Sequence, residues 1–226
     1  MNAIFTHFFD LDALWRARIV MGEGALGTLR LAAATLLLAP IAGMAIYAVQ
    51  LLPVRGARCA TEWFIDLMRA IPLLVFLVMS YYLVLPLAGL SVDAFSAAVF
   101  GIALKHGVYF AEIYRGAYQS VPRGQFDAAR MIGLRGRKLL RLVVVPQMMV
   151  IMAPALTSQA TLLLRDLPLA FVIGYFEILT SARAAQVFTR NSTPLMGAVL
   201  AYAVTLLLMQ WVTGRVERMS RRRMEA

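Results

Sequence analysis

Long apolar runs alternate with short, basic segments along this chain, and within each run the apolar positions are continuous rather than alternating with polar ones. Uncharged stretches of transmembrane length cover residues 31–54, 71–92, 142–164 and 191–214, and a shorter one at 94–104 continues past Lys105 and His106. A helix needs about 20 such residues to cross the hydrocarbon of a bilayer, and a barrel strand about half as many. The pattern therefore predicts an all-α integral membrane protein of five transmembrane helices. Pro53 closes the first run, Arg55-Gly-Ala-Arg58 makes a turn, and 86–91 makes another. Pro168 should kink or break the fourth helix, because it has no amide hydrogen and its ring clashes with the carbonyl of Leu164.

Polar residues at helical spacing refine this picture. Residues 1–23 mix Phe5, Phe8, Phe9, Leu11, Leu14 and Trp15 with Asp10, Asp12, Arg16 and Arg18, which suits an outer interfacial segment ahead of a transmembrane domain at 24–214 and a basic tail at 215–226. Glu62, Asp66 and Arg69 recur before Pro72, so 61–70 reads as an amphipathic lead-in to the second span, with Arg69 pairing to Asp66 or Glu62 or anchoring the helix end. Lys105, Tyr109 and Glu112 share one face of the third span. At membrane depth such a face lines a polar path, or it carries a Lys105–Glu112 network that fixes packing. His106 reads as a packed or interfacial histidine. Arg165 and Asp166, beside the predicted break, present a cation and an anion able to meet the carboxylate and ammonium of an amino acid, or else pair with each other. The stretch 171–193, with Glu177, reads as an outer re-entrant or loop region.

Composition narrows the class. A chain of 226 residues that is 61% hydrophobic and 15% charged, with mean hydropathy +0.74, is too apolar for a soluble domain. Its net charge of +10 would suit nucleic acid, but the bases lie in the loops between spans. With the N-terminus outside, Arg55, Arg58, seven bases between Ile113 and Arg141, and Arg215, Arg218, Arg221, Arg222 and Arg223 fall on one side, fourteen in all. That side is expected to be cytoplasmic, giving an N-out/C-in topology with no role for nucleic acid. The lone Cys59 permits no internal disulfide, and no Cys/His cluster offers a metal site. Asp10, Asp12 and Glu23 ahead of the first run argue against a cleaved signal peptide. No G-x-x-x-x-G-K-[ST] loop and no nucleophile–base spacing stands out, so the chain is expected to be non-catalytic.

The segment 113–146 is too basic for hydrocarbon and is punctuated in a definite order: Val121-Pro-Arg-Gly-Gln125, Asp127-Ala128-Ala129, Gly133 and Val145-Pro146-Gln147. The alanines favour a short helix, Gly133 a left-handed stop, and Leu139, Leu140, Val143 and Val144 a new apolar face. Two short helices joined at a glycine would make a dockable knob. This spacing resembles the cytoplasmic coupling loop of ATP-binding-cassette importer permeases, with Asp127 in place of the usual glutamate. Leu26-Gly-Thr28-Leu29, Arg69-Ala-Ile-Pro72-Leu, Tyr109-Phe-Ala-Glu112-Ile-Tyr-Arg115-Gly116 and Arg123-Gly-Gln resemble, in order, further segments of the branch that imports polar amino acids. The chain departs from that branch at Leu167-Pro168, where two hydroxyl residues are usual.

The resemblance implies a type I importer permease in a bacterial inner membrane. It would bind no cofactor itself, ATP and Mg being used by a separate ATPase dimer that grips Gln125, Asp127, Ala128, Ala129, Gly133 and Pro146. It also implies an extracytoplasmic amino-acid-binding protein and a second permease, identical or homologous. Arg69, Lys105, Tyr109, Glu112, Arg165 and Asp166 become substrate-path candidates. Lys105, Arg165 and His106, with the Arg-x-Ile-Pro-Leu segment, lean the substrate toward glutamate or aspartate. The rival readings are a secondary transporter, which would need internal repeats and paired broken helices, and a membrane anchor whose basic loop binds anionic lipid.

Overall fold

Asp10 starts the first helix: its carboxylate accepts from the amides of Asp12 at 2.9 Å and Ala13 at 3.3 Å, meeting donors that have no partner inside the helix. The computed structural model describes residues 8–54 and 56–225, except for the side chains of 217 and 220–225. Phe5, Arg55 and the side chains of Arg221, Arg222 and Arg223 lie outside the described residues. Helix α1, Leu11–Gln50, is 40 residues long, about 60 Å at 1.5 Å per residue. It passes through residue 23 without interruption, so the N-terminal segment from Leu11 onward and the first span are one helix.

Among the described residues seven further helices follow it: α2 Ala57–Ala70, α3 Leu73–Leu87, α4 Ala94–Gln119, α5 Arg123–Met131, α6 Gly136–Ile173, α7 Ile178–Thr189 and α8 Thr193–Glu225. No strand occurs among the described residues. Helices α1, α4, α6 and α8 are long and apolar enough to cross a membrane, and α2 with α3, bent by 104°, counts as a fifth span if the pair is one broken crossing. The amphipathic lead-in predicted at 61–70 is therefore a helix of its own. The region expected to be an outer re-entrant or loop segment is mostly helix α7, 12 residues long and started by Glu177, and the basic tail continues α8 as far as Glu225.

Prolines shape the spans. Each of the two π-turns, Ser80–Val84 in α3 and Leu140–Val144 in α6, stands just ahead of a proline, Pro86 or Pro146. A proline ring crowds the carbonyl four residues back, here Tyr82 or Leu142, and the wider turn accommodates that carbonyl. At Pro168 the α-helix ends on Asp166 and the chain continues as a 3-10 turn, Leu167–Ile173, up to the left-handed Gly174. The predicted break is thus a change of helix type.

Packing centres on α4, whose residues Ala98, Ile102, Ala111 and Tyr114 are buried. Helix α1 crosses it closely where Gly43 meets Gly107 and Phe110. Nearer its start α1 also carries α7: a side chain at Gly24 would collide with Ser181, and one at Gly27 with the carbonyl of Phe176. The Tyr175 hydroxyl donates to the Gly27 carbonyl at 2.8 Å, and the Ile178 amide donates to Thr28 Oγ1 at 3.1 Å. The Leu26-Gly-Thr28-Leu29 segment therefore serves as a seat for the turn between α6 and α7.

Candidate functional site

Two regions of the fold gather polar and exposed side chains. The first is where α2 and α6 each pack against α4. At the C-terminus of α2 the last carbonyls have no helical partner. The Lys105 ammonium, buried on α4, takes two of them, donating to the Ile71 carbonyl at 2.5 Å and to the carbonyl of Met68. It thereby pins the joint between α2 and α3. Tyr109, one turn further along, faces the same joint, with the Arg69 guanidinium 5.8 Å from its ring centre.

Between these residues sits His106, 3% exposed. The Gln159 amide nitrogen donates to its Nδ1 at 2.8 Å, so the ring N–H lies at Nε2, which donates to Asp166 Oδ2 at 3.1 Å. The Asp166 side chain keeps 39% of its surface exposed, and no hydrogen bond reaches its Oδ1 from the described residues. The arrangement is a half-open carboxylate held from one side by a buried imidazole, whose ring centre lies 6.4 Å from that of Tyr109.

Of the six substrate-path candidates, Asp166 bonds His106, Tyr109 has its ring centre 6.4 Å from that of His106 and 5.8 Å from the Arg69 guanidinium, and Lys105 holds the joint of α2 and α3. Glu112 stands apart. It forms a two-pronged pair with Arg115, at 3.0 and 2.5 Å, so the alternative Lys105–Glu112 network does not form. Arg165 does not pair with Asp166 either; it is exposed and has no carboxylate partner among the described residues. Arg69 likewise misses Glu62, which is taken by Arg58 at 2.9 Å. His106, which the sequence marks as a packed or interfacial histidine, is packed; its partner Gln159 was passed over. The signal that would have found Gln159 is an amide inside an otherwise apolar span.

The second region is the loop between α4 and α6. Helix α5 stands on a small apolar core of Val121, Ala129, Leu139 and Val144, so Ala129 faces inward while Asp127 and Ala128 face solvent. Asp127 pairs with Arg130 at 3.3 Å, and Gln147 donates to Gln125 at 3.3 Å, tying α5 to the base of α6. Gly133 has φ of 82°, the left-handed stop that spacing predicted. The second helix of the knob is not short: it is the beginning of α6, with Pro146 on its exposed side. Met131 and Ile132, 88% and 76% exposed, project just before the glycine.

Comparison with known proteins places this geometry. Residues 41–223 match the family described as binding-protein-dependent transport system inner membrane component. A glutamate transport system permease protein of Corynebacterium glutamicum is 31% identical over 88% of this chain and 74% of its own length. A glutamine transport system permease protein of Escherichia coli K12 is also 31% identical, over 93% of this chain and 97% of its own. Among solved structures, an amino acid ABC transporter crystallised with histidines superposes with a TM-score of 0.84 at 26% identity, covering 93% of this chain and 99% of that one. The chain belongs to the family of binding-protein-dependent transport system inner membrane components.

Proposed function

We propose that this chain is the membrane subunit of an ATP-driven importer of polar amino acids, non-catalytic itself, in which α5 docks into a separate ATPase and the wall around Asp166 meets the substrate. The observation that carries the reading is the pair Met131 and Ile132. Two large apolar side chains that are 88% and 76% exposed, next to Arg130 and outside the candidate spans, mark a surface that a partner covers. Gly133 fixes their direction, and the core under Ala129 makes α5 a rigid lever on α6. ATP and Mg belong to the partner, and a second permease and an extracytoplasmic binding protein complete the importer. The relatives named for glutamate and glutamine support a polar substrate. Asp166 suits an α-ammonium, and the Arg69 guanidinium, free of a carboxylate partner among the described residues, suits a carboxylate; with the relative named for glutamate, this favours glutamate or aspartate. The topology is N-out/C-in, so that the loop reaches the cytoplasm.

The test is replacement of Met131 and Ile132 by aspartate. The ATPase should no longer co-purify with the chain while membrane insertion persists. Undiminished co-purification would remove α5 as the docking element.

A further inference from the structure

From the buried hydrogen-bond chain Gln159–His106–Asp166, we infer that His106 is a positioning residue that holds Asp166 as the receptor of the substrate's ammonium, with Gln159 selecting the tautomer that lets it do so. The inference rests on the proposed substrate role of Asp166 and adds how that role is built.

Three observations lead to it. First, Asp166 stands at a change of helix type. It is the last α-helical residue before the 3-10 turn, where the regular hydrogen-bond ladder of α6 gives way. Second, the carboxylate is bound on one oxygen only. Oδ2 accepts from His106 at 3.1 Å, while no described residue reaches Oδ1 and the side chain stays partly exposed. A carboxylate placed only for packing would bury both oxygens or pair them, as Glu177 does. That residue is fully buried and accepts from the Leu179 and Thr180 amides, the Thr180 hydroxyl and the Tyr202 hydroxyl. Third, His106 and Gln159 are both buried, and the contact of α4 with α6 needs neither, since apolar pairs make such contacts without desolvating polar groups. What the pair does provide is direction. The Gln159 amide N–H occupies Nδ1, so the single ring proton must sit on Nε2 and point at Asp166. A neutral donor orients the carboxylate without neutralising it, leaving its charge for a ligand's ammonium.

The experiment uses the purified complex of the chain with its ATPase, without the extracytoplasmic binding protein, so that affinity is that of the membrane site. Glutamate, glutamine and arginine are each offered, and the tightest is compared with its N-acetyl derivative, which lacks the ammonium. The wild type should prefer the free amino acid. His106→Leu should reduce that preference by about tenfold or more, the weight of a hydrogen bond to a charged group. His106→Gln, whose amide N–H can take the place of Nε2–H, should restore most of it, and Gln159→Leu should lie between. Asp166→Asn should abolish the preference. If Asp166→Asn erases the preference while both His106 variants keep it, the positioning role is wrong and the substrate reading stands. If Asp166→Asn keeps it, or the wild type binds none of the three, the substrate reading itself fails. Loss in His106→Leu without recovery in His106→Gln would reduce His106 to a packing residue.

Discussion

The Tyr175 hydroxyl donates to the carbonyl of Gly27 at 2.8 Å, joining residues 148 positions apart and seating the turn after α6 on the first helix. The approach is possible only because Gly27 has no side chain: a Cβ there would run into the carbonyl of Phe176, which is backbone and cannot swing aside.

Gly27→Val should therefore lower stability by about 1–3 kcal/mol or more. It should show as a lower midpoint of thermal aggregation in detergent and faster proteolysis near α7. Gly22→Val is the matched control, since nothing lies within 4 Å of a Cβ there, and it should be close to neutral.

Lys105 offers a second test. Replacing it by methionine keeps the length and removes the charge, leaving the carbonyls of Met68 and Ile71 unmet at about 1–3 kcal/mol each. Hydrogen exchange should rise at the end of α2 and the start of α3 while the α1–α4 contact stays protected. Unchanged exchange at 68–73 would show that Lys105 does not hold this joint.

Gly133 has open space around it, so only its φ of 82° resists substitution. Gly133→Val should strain the backbone by about 1–2 kcal/mol. It should reduce substrate-stimulated ATP hydrolysis without preventing membrane insertion, whereas Gly133→Asn, which tolerates this conformation, should retain most of the activity. Equal activity in the two variants would separate the bend from coupling.

Topology follows from the same loop. In a Cys59-free variant, a cysteine at Ser91 should label from outside intact cells and one at Arg137 should not, both positions being exposed. Labelling at Arg137 from outside would invert the orientation.

The parts of this fold that were legible from sequence are those set by local chemistry. The loop glycine is left-handed, and the apolar runs became helices. What was not legible depends on contacts between distant segments. The charged residues 10–23 looked like a separate surface helix, yet α1 runs on through them because Gly24 and Gly27 carry α7 rather than end the helix. Helix α7 escaped notice because the buried carboxylate of Glu177 caps it, and a carboxylate in sequence reads as solvent-facing. At the candidate site, Arg165 and Asp166 looked like a pair because they are adjacent. On a helix neighbours diverge by about 100°, so Asp166 turned to His106 while Arg165 faces outward. Spacing within one helix placed Lys105 and Tyr109 correctly on a common face, but only the packing of α2 and α6 against that face shows what they touch.

The central claim, that this chain couples amino-acid movement to ATP hydrolysis through α5, is tested most directly by uptake into proteoliposomes holding the chain, its ATPase and its binding protein. Uptake should require enclosed ATP, proceed without an ion gradient, and fall to background when Met131 and Ile132 are aspartate. Uptake driven by an ion gradient in the absence of ATP, undiminished by those substitutions, would contradict it.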